Sequence, residues 1–339
     1  MANILILGGT QWLGRTLAEL ALARGDSVTC LARGESGTVP EGVEFIRSDR
    51  RSVIAYRDVQ DRDWDAVIEV SWQPAWVEAA AKAIGERATH WTYVSSIAVY
   101  AAGMEPGADE SAPLRPRLPS GSHADMKVYG EAKVSSERVT RDIVGDKLFA
   151  PRPGILAGPG DPTDRVSYWP ARFHTAGAEP VLVPDTPDVN VRALDVRDLS
   201  HWILDSIVAG TTGPINAVGE DISFEDFIAL ARSVGGHTGD VVAATSQWLI
   251  HQGVQPNSGP RSLPWWLPEE GLGAAKQSST GRTHLSGQGA IDAGMTRRRL
   301  RETLEDCLED ERVRGFDRDR EAGLTRGEES FLIERWTTR

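Results

Sequence analysis

Several functional classes are excluded by what this chain lacks. It carries only two cysteines, Cys30 and Cys307, and no Cys-x-x-Cys, too few for a disulfide framework or a thiolate metal site. Its seven histidines are scattered, without His-Glu-x-x-His or a similar spacing, so no structural or catalytic metal is expected. Positive charge is in deficit: 37 Lys and Arg stand against 49 Asp and Glu, a net charge of −12, which disfavours nucleic acid as a partner. The run Arg297-Arg298-Arg299-Leu300-Arg301 reads instead as the solvated face of a C-terminal helix. No apolar run is long enough to span a membrane. The N-terminus also lacks the basic region and cleavage site of a secretory signal, so a soluble, cytoplasmic protein is expected. There is no internal repeat or low-complexity block. What is present, 339 residues of ordinary apolar and charged content, suffices for about two domains.

The stretch around which the chain is organised is Ala2-Asn3-Ile4-Leu5-Ile6-Leu7-Gly8-Gly9-Thr10-Gln11-Trp12-Leu13-Gly14. Ile4 to Leu7 is the continuous apolar run of a strand covered on both faces of a parallel sheet. Gly8 and Gly9 permit a sharp turn and a close backbone approach. From Trp12 the apolar residues Leu13, Leu17, Leu20 and Ala21 recur at helical spacing. Orphan N–H groups at the start of such a helix favour an anion, here a dinucleotide pyrophosphate over Gly8, Thr10, Gln11, Trp12 and Leu13. Gly8 and Gly14 fit the outer glycines of the fingerprint, while Gln11 stands where the middle one belongs. A plain β–α turn without a ligand is the competing reading.

Further strands are expected at Ser27–Leu31, Val43–Ile46, Asp65–Val70, His90–Ser96 and Phe149–Gly154. A helix opens at Pro74 and runs through Ala75 to Ile84, and another covers Val134 to Ile143. This alternation predicts a doubly wound parallel sheet. The second strand ends in Ala32-Arg33, without the acidic residue that would take the ribose hydroxyls of NAD(H). A cation with no competing carboxylate suits a 2′-phosphate, so NADP(H) is favoured over NAD(H); a solvent-facing Arg33 is the alternative. Asp49 is placed to accept from the adenine amino group or to cap the next segment. Arg50, Val70, Ser71 and Pro153 complete the candidate cofactor contacts.

Residues 101 to 125 are rich in Gly, Pro and Asp without periodicity, as in a lid or substrate loop. His123 within it is an extra acid/base or, more simply, a solvated loop histidine. Pro180 to Pro187 is proline-rich, helices are expected over Ser200–Val208, Phe224–Val234 and Thr296–Arg314, and 251–289 reads as loop. Trp169, Trp265 and Trp266 line an apolar pocket or pack in a core.

Tyr129 and Lys133, four apart, share one helix face. An ammonium beside a phenol lowers its pKa from near 10 and makes it a usable acid/base. Ser96, at the end of a neighbouring strand, could hydrogen-bond the oxygen being reduced or formed. With five Tyr and five Lys in the chain, a chance Tyr-x-x-x-Lys is expected about 0.07 times.

Taken together, the chain resembles an extended short-chain dehydrogenase/reductase, of the NAD(P)-dependent epimerase/dehydratase superfamily. The resemblance is carried by Gly8-Gly9-Thr10-Gln11-Trp12-Leu13-Gly14, Tyr93-Val94-Ser95-Ser96-Ile97-Ala98-Val99-Tyr100, Tyr129-x-x-x-Lys133, Arg152-Pro153-Gly154 with Gly158-Pro159-Gly160-Asp161, and Asp195-Val196-Arg197-Asp198-Leu199. It implies Ser96 as the catalytic hydroxyl, Tyr129 as acid/base, and Lys133 as the ribose-binding, pKa-lowering residue. A homodimer is common in that family. Two departures point away from a nucleotide-sugar. Val191 stands where the epimerases carry a pyrophosphate-binding Arg, with Arg192 available only by a register shift. Arg152-Pro153-Gly154 replaces their aromatic-Asn sequence.

The fold expected is α/β, a Rossmann-type doubly wound parallel sheet with a smaller, discontinuous C-terminal α/β substrate domain. The nucleotide domain comprises 1–155 plus 190–215, and the substrate domain 156–189 plus 216–339. The expected activity is hydride transfer between nicotinamide C4 and a carbonyl or alcohol of a small metabolite. The alternatives are a redox-neutral epimerase or dehydratase acting on a sugar or nucleotide-sugar, and a cofactor-sensing or RNA-associated binding protein.

Overall fold

The computed structural model describes residues 1–186, 189–266 and 284–339. They form two compact units, the first from 1–154, 196–218 and 284–296, the second from the described parts of 155–195, 219–283 and 297–339.

The first unit begins with β1 (Asn3–Leu7), α1 (Trp12–Ala23), β2 (Ser27–Ala32), β3 (Glu44–Arg47), β4 (Trp64–Glu69), α2 (Pro74–Ile84) and β5 (Ala88–Tyr93). After the long loop come α3 (Tyr129–Val144) and β6 (Leu148–Pro153). In the second unit follow β7 (Ile155–Ala157), α4 (Tyr168–Ala176), β8 (Val181–Asp185), β9 (Asn190–Val191) and β10 (Ala193–Asp195). The chain returns to the first unit with α5 (Val196–Ala209) and β11 (Gly213–Ala217), and then to the second with β12 (Ile222–Ser223), α6 (Phe224–Gly235), β13 (Val241–Thr245) and α7 (Ser246–His251).

One seven-stranded sheet organises the first unit, in the order β11-β6-β5-β4-β1-β2-β3 and parallel throughout. The apolar run of β1 is buried from Ile4 to Leu7 because β2 and β4 flank it and the sheet is covered. Leu17, Ala18 and Ala21 form the buried stripe of α1, and Val77, Ala80, Ala81 and Ile84 that of α2. Strand order reverses between β1 and β4, the topological switch point at whose carboxyl ends such sheets bind ligands. The expected strand through Ser96 stops at Tyr93, and Ser96 leaves the sheet to cap a short turn of Ile97–Val99.

Residues 101–125 contain no helix or strand beyond one bridge, Tyr100 to Leu114. The loop is nonetheless fastened: Arg115 N–H donates to the Val99 carbonyl (2.8 Å) and Gly107 N–H to the His284 carbonyl (2.7 Å), while Ser286 N–H donates to the Ala108 carbonyl (2.8 Å). The last two bonds tie 284–296 to the first unit; 216–218 also belongs to the first unit, whereas 155 and 190–195 belong to the second, unlike the expected division. Leu285 is fully buried beside Val99, Tyr100 and Val134, and the Trp202 indole donates to the Ala293 carbonyl (3.0 Å).

In the second unit Trp169, Trp265 and Trp266 are at most 3% exposed and pack in one core with Phe173, Phe224 and Phe227, so core packing rather than a pocket accounts for them. The charged helix expected from Thr296 starts at Leu300, because Arg299 is still extended, and a further helix, Arg326–Thr337, follows it. The Arg297–Arg301 run therefore precedes the charged helix and enters only its first turn. Within the stretch read as loop, Gln255–Pro256 pairs with Ser262–Leu263 and Gln288–Asp292 is a short helix; its portion at 267–283, like residue 187 of the proline-rich stretch, lies outside the described residues.

Candidate active site

At the switch point a cleft of about 310 Å³ opens between the ends of β1, β2, β3 and β4, a size within the range of small-molecule sites. Its floor is the turn from β1 into α1. Gly8 has φ +108°, a conformation open to glycine, and a Cβ there would sit 2.6 Å from Val70 Cγ2. A Cβ on Gly14 would run into the Gly8 carbonyl, so this glycine lets helix and turn close on each other. Cys30 fills the space beside Gly9 from below, and burial pushes its thiol up to about 12. Gln11 precedes α1 without capping it, and the first turn holds no acidic side chain. The helix dipole and its N-terminal amides therefore face the cleft uncompensated by a carboxylate, which fits a dinucleotide pyrophosphate.

Lys133 lies one helical turn beyond Tyr129, the first residue of α3. Lys133 is 3% exposed. Its Nζ donates to the Val94 carbonyl (2.7 Å) and the Ser71 carbonyl (3.5 Å), 4.9 Å from the Tyr93 ring centre and 5.9 Å from that of Tyr129. Burial lowers its pKa to about 7, while the carboxylates of Glu69 and Glu137 pull upward. Gly130 allows α3 to approach the Ser96 turn, since a Cβ would strike the Ala98 carbonyl. Ser96 Oγ accepts from Ala98 N–H (3.1 Å), which leaves its proton to be donated elsewhere. Its neighbour Ser95 is 2% exposed, whereas Ser96 is only half-buried.

Of the candidate cofactor contacts, Gly8, Thr10, Gln11, Arg33, Asp49, Arg50, Val70 and Ser71 line the cleft. Trp12 and Leu13 lie in the first turn of α1 and do not line the cleft. Pro153 is buried in β6 and does not line it. Three roles change. Arg33 does face a competing carboxylate, that of Glu35 at 2.9 Å. Asp49 takes its capping alternative: its carboxylate accepts from Arg51 N–H (3.0 Å) and pairs with the Arg51 side chain, which together hold its carboxyl down to about 2. Arg50 is committed to the protein: it chelates Glu69, which is fully buried, and donates to Tyr56 Oη (2.9 Å) and the Trp76 carbonyl (2.8 Å).

Sequence reading puts Ser71-Trp72 near the cofactor but passes over Gln73 and Trp76, which join Trp72 in the cleft wall at the start of α2. Trp72 lies with its ring 5.6 Å from that of Tyr129. The signal was present in Ser71-Trp72-Gln73-Pro74, an aromatic and an amide position directly after a strand at the switch point. His123 is exposed and edge-on to Trp76 at 6.2 Å. In the second unit Val191 is buried and Arg192 pairs with Asp221 at 2.9 Å. Among the described residues no cluster of His, Cys, Asp or Glu could hold a metal ion, and no helix is long and apolar enough to cross a membrane.

The model of the NAD dependent epimerase/dehydratase family matches residues 4–217. No curated protein sequence matches the chain. Among solved structures, the chain is similar to the Thermus thermophilus UDP-glucose 4-epimerase in complex with NAD, at 18% identity, TM-score 0.62, covering 91% of this chain and 98% of that one. It is similar to the Bordetella bronchiseptica enzyme WbmH in complex with NAD+ (17% identity, TM-score 0.63, 92% and 99% covered). UDP-N-acetylglucosamine 4-epimerase from Bacillus cereus also shares the fold (17% identity, TM-score 0.57, 72% and 89% covered).

Proposed function

The chain belongs to the NAD dependent epimerase/dehydratase family, and from that premise we propose that it is an NADP(H)-preferring oxidoreductase acting on a carbonyl or alcohol of a small metabolite. The observation that carries this reading is the pairing of Tyr129 with a buried Lys133, whose ammonium is held by carbonyls just beyond the ends of β4 and β5. The nicotinamide, when bound, supplies or takes up the hydride. Gly8 to Leu13 and the N-terminus of α1 would hold its pyrophosphate, and Ser71 and Lys133 would serve its ribose. Ser96 donates its hydroxyl proton to the substrate oxygen while its own oxygen stays on Ala98 N–H. Tyr129 gives up or accepts the proton at that oxygen, and Lys133 favours its phenolate.

Arg33 supports the 2′-phosphate preference. Its pair with Glu35 is exposed at both ends, and such pairs contribute no more than about 1 kcal/mol, so a phosphate dianion competes well for the guanidinium. A small substrate is supported by Val191, an apolar buried residue where an epimerase would present a cation.

A redox-neutral epimerase or dehydratase is the second reading, favoured by the epimerases among the structural relatives. Calorimetric titration with NADPH and NADH, followed by a screen of ketones and alcohols at the reduced-nicotinamide absorbance, separates the two. Stoichiometric absorbance change and tighter NADPH binding are expected. Protein that purifies with cofactor bound and turns a sugar nucleotide over without absorbance change would overturn the oxidoreductase reading.

A further inference from the structure

We propose that Gln73 is the positioning residue for Tyr129, holding the segment that leads into α3 by a reciprocal pair of hydrogen bonds to Ala124. The inference rests on the acid/base reading of Tyr129 and adds the device that fixes its place.

Gln73 stands in the turn from β4 into α2. Its Nε2 donates to the Ala124 carbonyl (2.8 Å) and its Oε1 accepts from Ala124 N–H (2.9 Å). Donor and acceptor of one carboxamide are thus both spent on one residue of a segment far away in sequence. Such a two-point bond resists rotation as well as sliding of that residue. Gln73 occupies the N-cap position of α2 without capping it, although short Ser, Thr, Asp or Asn side chains do that best. Its side chain is committed across the cleft wall instead.

From Ala124 the connection to Tyr129 has no slack. Asp125 accepts from Lys127 N–H (2.9 Å) and closes the turn Met126–Val128, after which Tyr129 opens α3. Glu78, one turn into α2, fastens the preceding residues, accepting from Ser120 Oγ (2.8 Å) and Gly121 N–H (3.2 Å). Trp72, the neighbour of Gln73, meets the Tyr129 ring at 5.6 Å and 57°. Ser71, one residue earlier, accepts from Lys133. One short turn therefore touches the backbone before the phenol, the phenol ring and the ammonium beneath it.

The bonds at Gly107, Ala108, Arg115 and Leu118 fasten the earlier part of the loop, and the Gln73 pair holds the residues that directly precede α3, where local opening would release Tyr129. A displacement of about 1 Å at a reacting group costs on the order of a hundredfold in rate.

The test uses the full-length protein labelled with 3-fluorotyrosine. Its five Tyr give five fluorine resonances, and the line missing in Tyr129→Phe identifies Tyr129. In Gln73→Met, of similar length but unable to hydrogen-bond, the Tyr129 line should shift and broaden while those of Tyr56, Tyr93, Tyr100 and Tyr168 stay in place. In Gln73→Glu, which keeps an acceptor for Ala124 N–H but sets a carboxylate oxygen against the Ala124 carbonyl, the Tyr129 line should move as well. Trypsin cleavage after Lys127 should accelerate about tenfold in Gln73→Met, as expected for losing two net hydrogen bonds from an opening equilibrium. An unmoved Tyr129 line, or equal shifts in all five, would overturn the inference. Undiminished turnover by Tyr129→Phe would instead overturn the acid/base reading on which it rests.

Discussion

Replacing Lys133 by Met should make the cofactor-free protein more stable at neutral pH, and the gain should fade as pH rises. Lys133 is 3% exposed and its pKa falls from 10.5 to about 7. Between those values the unfolded chain binds the proton and the folded one does not, so stability rises with pH across that window. At about 1.4 kcal/mol per pH unit, keeping the ammonium buried costs the fold on the order of 5 kcal/mol below pH 7. About 2 kcal/mol of that cost disappears between pH 7 and 9. The substitution also removes the donor to the Val94 carbonyl, and an unsatisfied buried acceptor costs about 1–3 kcal/mol. A net gain of about 2 kcal/mol at pH 7 remains. Urea unfolding of both proteins at pH 7, 8 and 9 without cofactor measures this directly. The stability difference should shrink by about 2 kcal/mol across the series. A difference that stays constant with pH would mean that the Lys133 pKa is not depressed, and the electrostatic argument would fail.

Three further outcomes follow from the cleft. Arg50→Met strands the Glu69 carboxylate, fully buried at the end of β4, and should cost about 3–5 kcal/mol of stability in thermal melts; adding Glu69→Leu should restore most of it. Gly14→Ala drives a methyl group into the Gly8 carbonyl, so NADPH affinity by calorimetry should fall at least about tenfold with little change in helix content by circular dichroism. Glu35→Gln releases Arg33 from its exposed partner and should raise the NADPH-over-NADH preference by no more than about fivefold, the ceiling set by a surface ion pair.

The sheet was legible in the sequence because each strand buried on both faces declares itself as an apolar run, and each covering helix as a 3.6-residue stripe. Ile4–Leu7 and Val77–Ile84 are examples. The Tyr129–Lys133 pair was legible because one turn of helix dictates its geometry. Less visible were features decided by distant partners. Nothing local in Ser48-Asp49-Arg50-Arg51 indicates that Glu69, nineteen residues on, occupies Arg50. Gln73 reads as an ordinary polar residue until Ala124, remote in the chain, is brought against it. The tryptophans of the second unit were ambiguous because an indole suits a core and a binding wall equally. Packing by Phe173, Phe224 and Phe227 decided between them.

Residues 284–296 belong with a sheet whose last strand was completed at Ala217. The loop between Tyr100 and Tyr129 is hydrogen-bonded to main chain at His284 and Ser286. During synthesis the nucleotide half therefore emerges with its seat for Leu285 open and the Trp202 indole without its acceptor. Both wait until the intervening stretch 219–283 has been translated. A fragment cut at residue 218, however natural it looks as a boundary, would expose that seat permanently, and a cell would meet it as a substrate for chaperones and proteases.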